Sequence, residues 1–127
     1  MPQGSPELPG LQVTVEKVVH RRNPGFADAH AHTFVYHLAI ANFSDRTVTL
    51  LGRKWILTYP DGTREIVEGD GIVGETPTLR PGEVFRYHSQ HVAGGPLRAS
   101  GAFHGKDASG APLHVRIPEF AMDPGAA

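Results

Sequence analysis

Apolar residues in this chain recur at every second position, and a period of two is the mark of strands with one buried face. Leu11, Val13 and Val15 alternate with Gln12, Thr14 and Glu16. Phe34, Tyr36, Leu38 and Ile40 share one face of a second run, and Leu113, Val115 and Ile117 alternate with His114 and Arg116 in the last one, which Pro118 is expected to end. Turn signals separate the runs: Asn23-Pro24-Gly25, the polar residues 42–46, Pro60-Asp61-Gly62-Thr63, Arg80-Pro81-Gly82-Glu83 and Asp107-Ala108-Ser109-Gly110. With no helical periodicity of useful length, the pattern predicts an all-β fold of about six to eight strands, an antiparallel β-sandwich with a closed barrel as runner-up.

Within that frame, residues 47–51 start a third strand that Trp55, Leu57 and Tyr59 continue, and the Asp61-Gly62 hairpin returns the chain through residues 64–68. Arg80-Pro81-Gly82-Glu83 fits a type II turn, in which proline sets the first central dihedral and glycine takes the positive φ of the second. Phe85 and Tyr87 then point one way, Arg86 and His88 the other, and a later strand covers residues 97–104. The second face of the Phe34 strand, made of Val35, His37, Ala39 and Ala41, is too apolar for open water, so a loop, a partner chain or an edge contact is expected to cover it.

Residues 69–74 spell Gly-x-Gly-x-x-Gly, the pattern of a nucleotide-phosphate loop. In that setting the third glycine opens a helix whose amides hold the phosphates, but here Pro77 and Pro81 follow, and no helix survives two prolines at that spacing. Glu68, Asp70 and Glu75 surround the segment with carboxylates that repel an anion. The favoured reading is a sharp connection whose glycines take positive φ or allow close backbone approach. The alternative keeps Gly69, Asp70, Gly71 and Gly74 as a ligand-binding loop, with a hard cation bridging the carboxylates and a phosphate.

Composition bounds the rest. The 127 residues suit one domain, expected over residues 11–122 between disordered tails at 1–10 and 123–127. A formal charge of -1 and scattered basic residues give no footprint for nucleic acid. The absence of cysteine rules out disulfides and thiolate metal sites, and neither a secretory signal nor an apolar run of membrane-spanning length is present, so a soluble cytoplasmic protein is expected.

Candidate sites are few. His30 and His32 stand two apart, which on a strand places both on one face, and as a pair they are the candidate ligands for cobalt, nickel or zinc. Ser89 beside His88 and His91 is adjacency in sequence without an oriented base, so no catalytic residues are assigned. Trp55 is expected in the core, with Arg53 and Lys54 as flanking surface charges that form a small partner-recognition patch. No cofactor is expected.

Taken together, Leu51-Gly52-Arg53-Lys54-Trp55-Ile56-Leu57, the Asp61-Gly62 hairpin, the glycine segment running on to Glu75-Thr76-Pro77, Leu79-Arg80-Pro81-Gly82-Glu83 and the closing Ile117-Pro118-Glu119-Phe120 resemble the ApaG family in order and spacing. Lys54 stands where the family often has histidine, His88-Ser89-Gln90 replaces a Thr-Ser-Gly-like segment, and Glu119 replaces a proline. The resemblance implies an immunoglobulin-like or fibronectin type III-like sandwich, although Phe85 lies where the corner tyrosine of such domains would fall. It also implies small cytoplasmic bacterial proteins, often encoded beside a diadenosine tetraphosphate hydrolase and an rRNA dimethyltransferase and linked to cobalt tolerance and magnesium efflux. Eukaryotic relatives carry the domain in F-box proteins and a DNA polymerase delta-interacting protein. The functional expectation is a non-enzymatic protein-interaction module with an unidentified protein partner, and pairing of exposed strand edges into a homodimer is a further expectation. The alternative is a small-ligand or divalent-metal-responsive protein binding a phosphate-containing ligand at residues 69–74.

Overall fold

Eight strands in two antiparallel sheets make up the computed structural model, which describes residues 5–125. The strands are β1 (Leu11–Arg22), β2 (His32–Asn42), β3 (Val48–Thr58), β4 (Arg64–Asp70), β5 (Thr78–Leu79), β6 (Val84–Ala93), β7 (Leu97–Asp107) and β8 (Pro112–Met122), with one 3₁₀ turn at Asp28–His30. One sheet has the order β1-β2-β6, the other β4-β3-β7-β8 with β5 pairing the start of β3. The sheets pack face to face as a β-sandwich, and no helix among the described residues is long and apolar enough to cross a membrane. The alternating residues meet between the sheets: Phe34, Leu38, Ile40, Val48, Leu50 and Phe103 are fully buried, and Trp55 stands edge-on to Phe103 and Phe120.

Bulges decide which residues face inward. In β3, Val48 and Leu50 point into the core, but the register with β7 shifts between Leu50 and Gly52, after which Arg53, Trp55 and Leu57 take the inner face. One extra residue reverses every later side chain. β1 does the same between Val15 and Lys17, bringing Val18 inward. β8 does not end at Pro118 as expected. It runs on to Met122, because it is an edge strand where a missing amide is tolerated and the register shifts there, restoring Phe120 and Met122 to the core.

On the apolar second face of β2, Ala39 is covered from within its own sheet, while Val35, His37 and Ala41 stay half-buried. Ala39 lies between Thr14 and Arg86 in register, and the Arg86 guanidinium reaches the Glu16 carboxylate at 3.3 Å, spanning β2 from one flanking strand to the other. Only a short side chain on the middle strand leaves room for that pair, and Ala39 is accordingly 6% exposed.

The polar stretch after β2 conceals a buried group. The Asn42 side chain, 0% exposed, donates through Nδ2 to the carbonyls of Arg46 (2.8 Å) and Leu79 (2.9 Å), and its Oδ1 accepts from the Ser44 amide (3.0 Å) and hydroxyl (2.6 Å). Gly82 takes φ 90° in the expected type II turn, and its amide donates to the Asn42 carbonyl at 2.7 Å.

Of the expected tails, residues 1–4 and 126–127 lie outside the described residues. Glu7 bridges to His114 and its carboxylate accepts from Arg116 at 2.7 and 3.2 Å, while Leu8 is buried, so the packed unit begins ahead of Leu11.

Candidate functional site

β4 ends at Asp70, and the chain then folds over one open side of the sandwich. The Ile72 amide donates to the Glu75 carbonyl (2.7 Å) and the Glu75 amide returns to Ile72 (3.0 Å), closing a two-residue turn with Val73 at φ 45° and Gly74 at φ 80°. This is a type I′ geometry, whose preferred residues are Asn-Gly. Ile72 is 1% exposed and plugs the space between the sheets. The glycine pattern therefore serves the backbone's path, and the amides of Gly71, Ile72 and Glu75 all donate to protein carbonyls instead of converging on open space. Of the candidate residues Gly69, Asp70, Gly71 and Gly74, Gly71 would have no amide to spare for a phosphate, since it donates to the Leu51 carbonyl.

Gly69 has a separate role. A Cβ at that position would stand 2.6 Å from Nη2 and 2.7 Å from Cζ of Arg53, because the guanidinium lies flat against the glycine. Its Nη1 donates to the carbonyls of Asp70 (2.7 Å) and Gly71 (3.1 Å). Arg53 makes no ion pair among the described residues, and Nε and Nη2 have no protein acceptor there. Adjacent strand residues point to opposite faces, so Arg53 braces the glycine segment and Lys54 lines an outer groove with Ile56 and Arg116, although both also border a smaller recess with Glu68, Gly69 and His104.

Arg53 marks the floor of a cleft of about 500 Å³ between β6 and the β4 edge with its following loop. Tyr36, Trp55 and Tyr87 line it from within, and Val67, Asp70 and Val73 from the β4 side. Both β6 and β4 are outer strands of their sheets, β4 sharing its side of β3 with β5, so the cleft runs between two free edges. Burial pushes the Tyr87 phenol far above its ordinary range, with the Tyr36 phenol adding to it, and burial likewise raises Tyr36. Both remain neutral hydrogen-bonding groups. The Arg53 charge pulls both the other way.

The structure separates the two histidines of the metal expectation. His30 is exposed in the 3₁₀ turn, whereas His32 is buried at the start of β2, so the two do not share a strand face. The turn intervenes because the amides of His30 and Ala31 bond back to Ala27 and Asp28. His32 pairs instead with His20, Nδ1 to Nε2 at 2.8 Å. Among the described residues, no three His, Asp or Glu side chains are grouped to hold an ion.

Ser89 and His91 both line the cleft, with Ser89 opposite Tyr36 in register, and the buried Nε2 of His91 has no partner among the described residues. Burial holds the His91 imidazole below its ordinary 6.5, with the Glu65 charge opposing it. The unfolded chain accepts a proton there that the folded chain refuses, so this part of the stability is complete above about pH 6.5 and is lost as pH falls below it. The urea midpoint should drop between pH 7.5 and pH 5.5, and the drop should be smaller in His91→Gln; equal drops in both proteins would remove His91 from the account.

Comparison with known proteins places these features in a family context. The ApaG domain pattern matches residues 25–106. Protein ApaG of Methylococcus capsulatus is 38% identical over 116 residues, covering 88% of this chain and 89% of that protein. Protein ApaG of Beijerinckia indica is 40% identical over 120 residues, covering 89% and 87%. A crystal structure described as an ApaA protein from Bordetella pertussis superposes with a TM-score of 0.76 at 30% identity, over 95% of this chain and all of that one.

Proposed function

This chain belongs to the ApaG domain family, and from that premise we propose that it is a non-enzymatic interaction module that receives part of a protein partner in the cleft between β6 and the 69–74 loop. The observation that carries this reading is Val73. A β-branched residue at φ 45° is an outlier costing about 1–3 kcal/mol, in a turn that asparagine would fill without strain. Its side chain stands 47% exposed on the cleft wall, so the turn presents an apolar contact there at the expense of stability. The unpartnered Nε2 of His91, which leaves Ser89 without a hydrogen-bonded base there, supports a binding role over a catalytic one. The three-on-four order of the main strands favours the fibronectin type III-like variant of the sandwich, and a chain without cysteine fits the reducing cytoplasm.

Val73→Asn tests the reading. The variant should gain about 1 kcal/mol in urea unfolding by relieving the turn. It should also lose the proteins that the parent retains from a lysate of the source organism, while Lys54→Ala, altered on the outer face, keeps them. An unchanged set on Val73→Asn would count against the cleft as the working surface.

A further inference from the structure

We propose that the cleft is a receptor for a single carboxylate carried on an apolar body, with Arg53 as its anchor and Gly69 as the residue that positions the anchor. The assignment of that carboxylate to a protein partner rests on the interaction reading above; the chemistry of the site does not.

The bulge between Leu50 and Gly52 turns Arg53 to the inner face of β3. An arginine aimed inward is costly unless its charge is met. Two carbonyls meet Nη1 and fix the plane of the guanidinium, and the bare face of Gly69 lets that plane lie flat. What is left is Nε and Nη2, a planar pair of donors held in place without a counter-ion, which is the geometry that takes both oxygens of a carboxylate. The neighbouring phenols of Tyr36 and Tyr87 are neutral, so they donate to an anion rather than repel it. Beyond them the walls are apolar, with Trp55, Leu57, Val67 and the strained Val73 facing the space that the rest of the ligand would fill.

The charges also set an upper limit on the ligand. Among the described residues Arg53 is the single arginine or lysine lining the cleft; Asp70 lines it as well, and Glu65 and Glu68 lie on the same β4 strand. One negative charge is matched by Arg53, whereas a second meets the carboxylates of β4 and finds the amides of Gly71, Ile72 and Glu75 already engaged. A phosphate monoester is therefore the wrong anion for this site.

Trp55 is the only tryptophan and lines the cleft, so its fluorescence reports occupancy directly. The probes are phenylacetate, its neutral amide phenylacetamide, phenyl phosphate at pH 7.5, and the blocked dipeptide acetyl-Phe-Glu-amide. Phenylacetate and the dipeptide should change Trp55 emission saturably, and phenylacetamide and phenyl phosphate should bind at least about tenfold more weakly. Arg53→Gln and Gly69→Ala should each weaken phenylacetate by about tenfold or more. Gly69→Ala is the discriminating variant. Its methyl displaces only the flexible end of Arg53, so the urea midpoint should stay near that of the parent while binding falls. Binding of phenylacetate without the dipeptide would uphold the carboxylate site and overturn its assignment to a protein partner. Silence of Trp55 with all four probes, equal binding of phenyl phosphate, or full affinity in Arg53→Gln would overturn the proposal, leaving the Val73 test of the interaction reading untouched.

Discussion

Asn42→Asp, the exchange of one amide nitrogen for an oxygen, is expected to destabilise the fold by about 3 kcal/mol or more. The parent amide is used completely, both protons on the carbonyls of Arg46 and Leu79 and its oxygen on two donors of Ser44. Aspartate keeps the Ser44 contacts but turns an oxygen toward two carbonyl oxygens, at a site with no exposure to water. Leu79 belongs to the β3 sheet and Asn42 to the β2 sheet, so the loss loosens a tie between the two layers. The deficit should also depend on pH. In the folded variant the acid is favoured over the carboxylate, because its hydroxyl can donate to one of the carbonyls, so the folded pKa lies above the unfolded one and the variant recovers stability as the medium is acidified. Urea unfolding of parent and variant at pH 7 and pH 4 checks both statements, and a variant of parental stability at pH 7 would mean that the buried network contributes nothing.

Gly101→Ala should be at least as damaging, at about 3–5 kcal/mol against a total stability of about 5–15 kcal/mol for a domain of this kind. Gly101 lies in β7 opposite Trp55 of β3, with φ 153°, and a methyl there would be driven into the Lys54 carbonyl oxygen. The obstacle is backbone in a central pair of strands, so no side-chain rotation relieves it; the strands would have to part. Gly110 in the β7–β8 turn is the control, since at φ 87° its Cβ would meet nothing within 4 Å and alanine costs only the backbone strain of about 1 kcal/mol. Comparable urea midpoints for the two variants would show that the close approach of β3 and β7 carries no energetic weight.

The sequence disclosed more of the fold than of the site, for reasons that individual residues make clear. Alternation at Leu11, Phe34, Trp55 and Leu113 located strands because burial of one face imposes it directly. The type II turn at Gly82 and the positive φ of Gly71 and Gly74 were equally local. Register shifts were not, yet their trace is present: in β3 the buried positions are even at Val48 and Leu50 and odd at Trp55 and Leu57. Reading that switch would have turned Arg53 inward and separated it from Lys54. The same logic carries β8 past Pro118, where the parity changes between Ile117 and Phe120. The cleft itself had no local signal, because it exists only where β6 comes to lie across from β4 and its loop, more than ten residues apart in sequence and in different sheets. His30 and His32 misled because spacing by two implies a shared face only if both residues are in the strand, and the 3₁₀ turn ends between them.

The places of β1 and β8 in the sandwich bear on how small a piece of this chain can stand alone. The span that matches the family pattern, residues 25–106, starts after β1 and stops before β8. Each of those strands is the outer member of its sheet, and together they supply Leu11, Val13, Leu113, Val115, Ile117, Phe120 and Met122 to the interior. A fragment trimmed to the matched span would bare β2 and β7 along their full lengths, with a row of open backbone donors and acceptors above a half-emptied core. Such a fragment would find its missing strands in other copies of itself, and precipitate. The family pattern is thus shorter than what must be made for any of it to fold.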